Sequence, residues 1–204
     1  FRPTLLDVFG LSNFELGSAF SVYGIIAIFS YFLGGPLADR IPARNLMSLA
    51  LLATAVGGLV YALVPSLSVL MVLYGYWGFT TIFLFWAPMI KATRVWGGSA
   101  SQGKAFGFLD GCRGLVGALF GSLGVLVFTY MITEDLETAS LLESRQAFRQ
   151  VILVVSGIIA VVGVLVWFFM RLDQKVEREI ILERITFSQV REVLQLRAVW
   201  LLMV

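Results

Sequence analysis

Two oppositely charged residues, Asp110 and Arg113, stand within a long apolar stretch of the chain. Counted from Lys104 at about 1.5 Å per helical residue, they lie roughly 9 and 13 Å along a helix. Their i,i+3 spacing places both on one helix face, where they can partly neutralise each other. One interpretation is a structural ion pair that ties this helix to a neighbour. The other is that Arg113 faces a central cavity and binds an anionic group, while Asp110 orients Arg113 or accepts a proton.

Aromatic residues could supply further contacts to a ligand. The stretch 74–86 carries seven of them at every angle around a helix, so some must face outward. Tyr74 and Trp77, together with Tyr23, could line a cavity and stack on a sugar-like ring. The alternative for each is ordinary packing in the protein interior or against lipid.

Several kinds of chemistry lack the residues that they need. The chain has no histidine and one cysteine, Cys112, which excludes histidine-based hydrolysis, histidine-ligated metals and an intrachain disulfide from it. The glycine-rich segment 97–104 follows no strand and lacks the spacing of a phosphate-binding loop. We therefore expect no metal, no cofactor, no catalytic residue and no nucleic-acid partner, and we interpret the protein as a non-enzyme.

The elements that position these residues are expected to be membrane helices. Apolar residues make up 59% of the chain and charged residues 14%, and the mean hydropathy is +0.90. A soluble domain usually carries about 25% charged residues. A bilayer core of about 30 Å requires about 20 apolar residues in a helix, because backbone polar groups cannot stay unpaired in lipid. Five segments reach that length, at about 17–37, 46–64, 67–90, 105–132 and 150–170.

The basic residues indicate the orientation of these helices. Eleven of the 15 follow the first, third or fifth segment, whereas three lie on the opposite side. Basic residues concentrate on the cytoplasmic side of membrane proteins. The loops near residues 40, 98 and 184 are therefore expected in the cytoplasm. We predict a multi-pass protein of a bacterial inner membrane.

The chain after residue 170 differs from the rest. Residues 171–197 mix charges of both signs with apolar residues at partly helical spacing. They are predicted to form a cytoplasmic linker, either as a helix on the membrane face or as the connection between two halves of a bundle. Residues 198–204 are expected to begin the next membrane helix. Since neither end looks like a natural terminus, the sequence is interpreted as part of a longer protein.

The most specific motif lies in the loop between the first two predicted spans. Residues 35–44 read GPLADRIPAR, which resembles the Gly-x-Leu-Ala-Asp-Arg-x-Gly-Arg-Arg signature of the major facilitator superfamily. Pro42 and Ala43 depart from the signature at its second glycine and at a basic position. Segments 9–12 and 16–18 are also similar to the organic-anion and sugar-acid branches of the family. The matching residues of the signature are Gly35, Leu37, Ala38, Asp39, Arg40 and Arg44.

The resemblance implies an all-α, polytopic bundle of twelve transmembrane helices. Residues 1–170 would supply helices two to six, in the N-terminal half. The signature implies a gate at the cytoplasmic face, where the carboxylate of Asp39 meets a helix N-terminus across the interface between the halves. The gating group would then comprise Gly35, Asp39, Arg40, Arg44, Lys91 and Arg94.

Two family features are missing from the sequence. Tyr74 stands where the family often has an arginine, four residues before a glycine in helix four. An acidic residue near the inner end of helix four is missing too, because none lies between Asp39 and Asp110. Lys91 and Arg94, at that inner end, either anchor the cytoplasmic face or pair with Asp39.

These observations predict a secondary active transporter. It would move a small organic anion or sugar acid by alternating access, coupled to protons through Asp110. The expected partners are that substrate, a proton and the lipid bilayer, and the protein is expected to be a monomer. The alternative is a non-transporting structural or assembly subunit of a membrane complex, which leaves the signature at 35–44 unexplained.

Overall fold

The computed structural model describes residues 2–131 and 141–172. Within these two ranges the chain forms seven α-helices and one π-helical segment, and no strand. Residues from 173 onward lie outside this description. They include almost all of the predicted linker 171–197 and the predicted helix start at 198–204. The helices are α1 Arg2–Phe9, α2 Asn13–Arg40, α3 Ala43–Tyr61, α4 Leu67–Gly78, α5 Ala87–Gly97, α6 Gln102–Met131 and α7 Leu141–Phe169, and the π-helical segment Phe79–Trp86 joins α4 to α5.

Five helical stretches of the described chain are long and apolar enough to cross a membrane. They are α2, α3, the continuous stretch from α4 to α5, α6 and α7. The predicted all-α bundle with membrane-spanning helices is therefore confirmed for this part of the chain. The helices run past several predicted bounds, since α5 continues to Gly97 and α7 begins at Leu141. Hydropathy marks only the part of a helix inside lipid, so polar outer turns escape it.

The start of α2 is fixed by a capping box. The Glu15 amide donates to Oγ of Ser12 at 3.2 Å, and the Ser12 amide donates to Oε2 of Glu15 at 2.8 Å. Both amides would otherwise lack partners at the helix terminus. The preceding polar segment contains α1, a short helix that the sequence analysis did not predict. Gly10, at φ +63°, ends it in a conformation that favours glycine.

The third span changes its helical pitch in the middle of the membrane. Pro88, near the start of α5, is fully buried and carries no amide hydrogen. Proline leaves the carbonyl four residues earlier without its helical partner and crowds it. The wider π-helical turns of Phe79–Trp86 end two residues before the proline. Such segments inside α-helices are rare, and they rotate the side chains that follow them relative to an unbroken α-helix.

Small residues bring the helices close together in two places. A Cβ atom on Gly78 would lie 2.8 Å from the carbonyl oxygen of Tyr23, so only glycine lets α4 approach α2 this closely. Gly58 of α3 lies directly against Ser156 of α7 in the same way. The hydroxyl of Ser48 also donates to the Gly163 carbonyl at 2.8 Å, tying α3 to α7. Close backbone approach at small residues is the usual way in which membrane helices associate.

Candidate functional site

The charge pair forms on α6. Nη1 of Arg113 donates to Oδ1 of Asp110 across 3.1 Å. The Arg113 and Asp110 side chains are 51% and 70% exposed within the described chain. Because α6 begins at Gln102, Arg113 lies about 16 Å along it, close to the middle of a bilayer core of about 30 Å. Within the described chain, the charge pair is therefore exposed in the apolar middle part of α6.

Arg113 also contacts the aromatic ring of Trp86. The guanidinium carbon of Arg113 lies 4.8 Å from the centroid of the Trp86 ring, which is within cation–π distance. Trp86 in turn meets Tyr31 of α2 edge to face, with their ring centroids 6.3 Å apart. We call Tyr31, Trp86, Asp110 and Arg113 the central cluster. It joins three membrane spans at one depth.

Trp86 and Tyr31 are not among the site residues that the sequence predicts. Their depth could have indicated them, because counting residues from the predicted cytoplasmic end of each helix gives the position of a side chain along the helix axis. Trp86 lies about 16 Å from the end of α5 and Tyr31 about 14 Å from the end of α2. Both values match the depth of Arg113. Depth alone does not show which way a side chain points, and here the π-helical segment shifts that direction as well.

The central cluster has the composition of an anion site. Nη1 of Arg113 donates to Asp110, and its guanidinium carbon lies over the Trp86 ring. A guanidinium carries five N–H donors in a planar fork, so donors remain for a carboxylate or phosphate. Aromatic rings beside it can pack against the apolar part of a ligand. Among the described residues, no three His, Cys, Asp or Glu side chains form a group that could hold a metal ion.

The predicted aromatic trio lies elsewhere, toward the outer ends of the helices. Tyr74 is buried, and its ring lies 5.6 Å from that of Trp77. Nε1 of Trp77 donates to the Thr54 carbonyl at 3.2 Å. The hydroxyl of Tyr23 is 3.0 Å from Oγ1 of Thr81. The polar atoms of Trp77 and Tyr23 are thus engaged by neighbouring helices, in a group about 13 Å along the span from Trp86.

The signature loop forms a tight turn without its second glycine. Helix α2 ends at Arg40, and α3 begins at Ala43. Ile41 and Pro42 are both extended, at φ −113° and −53°, and neither conformation requires glycine. Asp39 and Arg40 are exposed and Gly35 is half-buried. Gly35, Asp39 and Arg40 of the predicted gate therefore lie in the last turns of α2, and Asp39 and Arg40 are accessible from outside the described chain.

Lys91 links the inner ends of α5 and α2. Its Nζ donates to the carbonyl of Ala38 at 2.8 Å, and the side chain is buried. The last four carbonyls of a helix have no partner within it, and the C-terminal end carries partial negative charge. Lys91 thus stabilises the end of α2 directly beside Asp39. The hydrogen bond to the backbone was not anticipated, because the predicted alternatives were a cytoplasmic anchor and a pair with Asp39.

Replacing Lys91 by methionine is expected to destabilise the protein by about 1–3 kcal/mol, because the Ala38 carbonyl loses its charged donor. Replacement by arginine should retain part of the stability. The measurement is the fraction of monodisperse full-length protein that survives graded heating in detergent. Lys104, which is exposed near the start of α6, offers the matched control. Equal stability of Lys91→Met and Lys104→Met would show that the hydrogen bond contributes nothing.

Arg44 and Arg94, two further basic residues of the predicted gate, lie in separate contacts. The Arg44 guanidinium lies 5.5 Å from the ring centroid of Trp167, joining α3 to α7. Arg94 is exposed, and its backbone carbonyl accepts a hydrogen bond from Nε2 of Gln102 at 3.0 Å. The side chains of Lys91 and Arg44 therefore contact two different helix pairs, α5 with α2 and α3 with α7.

Comparison with known proteins places the chain in a family. The profile of the Major Facilitator Superfamily matches residues 1–204. The chain therefore belongs to the major facilitator superfamily, a family of membrane transporters, as the signature at 35–44 predicts. It is a multi-pass inner membrane protein, and the predicted location is confirmed by the family, the five membrane helices and the bacterial relatives.

Several curated proteins are similar to it. The inner membrane protein YqcE of Escherichia coli (strain K12) is 31% identical over 160 residues, which cover 78% of this chain and 36% of that relative. The inner membrane protein YihN of the same organism is 29% identical over 130 residues, covering 64% and 31%. An uncharacterized MG294 homolog of Mycoplasma pneumoniae is 24% identical over 179 residues, covering 82% and 37%.

The chain spans about a third of the length of these curated relatives. No solved structure matches the chain significantly. The family assignment consequently comes from the sequence, and the helical arrangement from the structure of this chain.

Proposed function

We propose that the full-length protein is a secondary active transporter that carries a small organic anion across the inner membrane by alternating access. The observation that supports this most is Arg113, exposed at mid-membrane depth between Asp110 and Trp86. An ionised side chain at that depth costs about 2.5–3.5 kcal/mol on insertion scales. Residues that carry such a cost commonly line a substrate or ion pathway.

The geometry of the central cluster favours a carboxylate-bearing substrate with a compact ring. The planar fork of Arg113 suits two carboxylate oxygens at once. Trp86 and Tyr31 present aromatic surface beside it. A sugar acid combines both features, because it carries one carboxylate and a ring whose C–H face packs on aromatic groups. Sugar acids are therefore the substrate class that we propose.

Proton coupling would follow if the substrate carboxylate replaces Asp110 as the ion-pair partner of Arg113. In the structure, Arg113 is paired with Asp110. A bound carboxylate competes for the same guanidinium donors, which leaves Asp110 without its cation. An unpaired carboxylate at this depth is costly, so it takes up a proton. Substrate and proton would then cross together, so that protons moving down their gradient drive the anion against its own gradient.

Gating would use the cytoplasmic end of α2. Gly35, Asp39, Arg40 and Arg44 lie at or beside the turn between α2 and α3, and Lys91 fixes the carbonyl just before Asp39. A carboxylate held there can interact with the positive end of a helix in the other half of the transporter. Release of that interaction would accompany opening to the cytoplasm.

The decisive test is uptake by the full-length protein in liposomes. We expect saturable uptake of a radiolabelled hexuronate that an inward proton gradient accelerates and a protonophore suppresses. Glucose, which has the ring without the carboxylate, should neither enter nor compete. Uptake of neutral sugar instead of the acid would contradict the proposed substrate class. No uptake of any organic anion would favour a structural or assembly subunit.

A further inference from the structure

A groove separates α3 and α7 near their cytoplasmic ends. It has a volume of about 370 Å³, and its apolar lining comes from Leu49 and Leu52 on α3 and from Val164, Trp167 and Phe168 on α7. The hydroxyl of Ser48 also borders it but is engaged by the Gly163 carbonyl at 2.8 Å. The groove therefore offers an almost wholly apolar surface at the depth of the inner leaflet.

The cytoplasmic end of this groove is polar and positively charged. Arg44 lies over Trp167, which lines the groove, with 5.5 Å from the guanidinium carbon to the ring centroid. Asn45 also borders the groove, and its Oδ1 is buried without a hydrogen-bond partner among the described residues. Arg171 follows α7 and is exposed. Tryptophan and arginine at a helix end mark the level of the lipid headgroups.

We propose that this groove binds an anionic phospholipid of the inner leaflet, with phosphatidylglycerol as the best fit. One acyl chain lies along Leu49, Leu52 and Val164. The phosphate lies beside Arg44, where a basic group near the cytoplasmic surface attracts anionic headgroups. The glycerol headgroup supplies hydroxyl donors for the unpaired oxygen of Asn45. Charge complementarity at one end and an apolar channel at the other select a lipid over a peptide.

The bound lipid would brace the junction of α3 with α7. Both helices are held together at Ser48 and Gly58, and the groove is lined by residues on both sides of Ser48, with Asn45 on one side and Leu49 and Leu52 on the other. An acyl chain would fill the space in which the two helices do not touch. The lipid would therefore act as a structural partner of the N-terminal bundle, independent of whatever the central cluster binds.

The test measures lipid retention by native mass spectrometry of the detergent-purified full-length protein. The probes are phosphatidylglycerol, phosphatidylcholine with the same acyl chains, and inorganic phosphate as a competitor. The variants are Arg44→Gln, which removes the charge, and Val164→Trp, which fills the groove from an exposed position. Matched controls are Arg94→Gln and Val161→Trp, at exposed residues that do not line the groove.

We expect one phosphatidylglycerol to be retained in preference to phosphatidylcholine, and inorganic phosphate not to displace it. Arg44→Gln should weaken retention about fivefold, Val164→Trp should abolish it, and both controls should behave like the unmodified protein. Equal retention of the two lipids, or equal effects of Val164→Trp and Val161→Trp, would overturn the proposal. So would a dimer that Val164→Trp converts to monomer, because a second copy would then cover the groove.

Discussion

Replacing Arg113 by glutamine is expected to reduce the apparent affinity for the organic anion at least about 100-fold, so that saturable uptake is lost. Each hydrogen bond to a charged group contributes about 1.5–3 kcal/mol, and a bound carboxylate would lose two such bonds to Arg113. Lysine at this position should give an intermediate loss. It keeps the charge but lacks both the planar fork and the stacking on Trp86, which lies 4.8 Å from the guanidinium carbon.

Asp110→Asn separates binding from coupling in the same experiment. The amide cannot accept a proton but can still accept a hydrogen bond from Arg113. The variant should therefore bind and exchange the anion across the membrane while losing stimulation by the proton gradient. Uptake driven by a proton gradient and exchange between equal substrate concentrations on the two sides are the two measurements that separate these effects.

The matched control for both variants is Arg149→Gln. Arg149 is an exposed arginine of the same chain on the outer part of α7, away from the central cluster. It should leave uptake at the level of the unmodified protein. If Arg113→Lys and Asp110→Asn both preserve substrate affinity and proton dependence, the pair is a structural ion pair and the central cluster is not the substrate site.

Gly58→Ala is expected to destabilise the bundle by about 1–3 kcal/mol, the usual cost of overpacking a tight interior contact. A Cβ atom on Gly58 would overlap the hydroxyl oxygen of Ser156 and lie 2.9 Å from its Cβ. Helices α3 and α7 would have to separate, and the Ser48 to Gly163 hydrogen bond between them would lengthen. Survival of monodisperse full-length protein after graded heating measures the effect.

Two further variants show whether the contact is the cause. Ser156→Gly removes the atoms that the new methyl group would meet, so the double variant Gly58→Ala with Ser156→Gly should recover much of the lost stability. The neighbouring Gly157→Ala is the control, because a Cβ there meets nothing within 4 Å. If the effects of Gly58→Ala and Ser156→Gly simply add, the two residues do not interact in the folded protein.

Most of the fold could be predicted from the sequence because lipid restricts the choices so strongly. Long uncharged segments had to be helices, and the basic residues gave their orientation. The ends of the helices were less predictable. Polar turns such as Glu143 to Arg149 continue α7 beyond its apolar part, and α1 precedes α2 without any apolar run. Tertiary contacts hold these parts, as where Nε of Arg145 donates to the Val8 carbonyl at 3.1 Å.

The site was only partly predictable, for a related reason. Asp110 and Arg113 lie on one helix, so their spacing predicts that they meet, and the structure pairs them at 3.1 Å. Tyr74 and Trp77 were equally plausible from composition, but they pack among neighbouring helices instead. Whether Tyr23, Tyr74 or Trp77 contributes to transport stays a prediction. The aromatic residue that reaches Arg113 is Trp86, which no spacing rule connects to α6.

By itself, the sequence determined that this is a membrane protein and which family signature the loop at 35–44 carries, and it predicts which way the protein faces. Those properties depend on helix length, charge placement and residues adjacent in the chain. The tertiary structure alone decided which helices touch and which side chains share a site. Helical rise sets the depth of Arg113, Trp86 and Tyr31, but the rotation of each helix sets their direction. That rotation depends on close contacts such as Gly78 against Tyr23 and on the π-helical turns before Pro88, which local spacing does not encode.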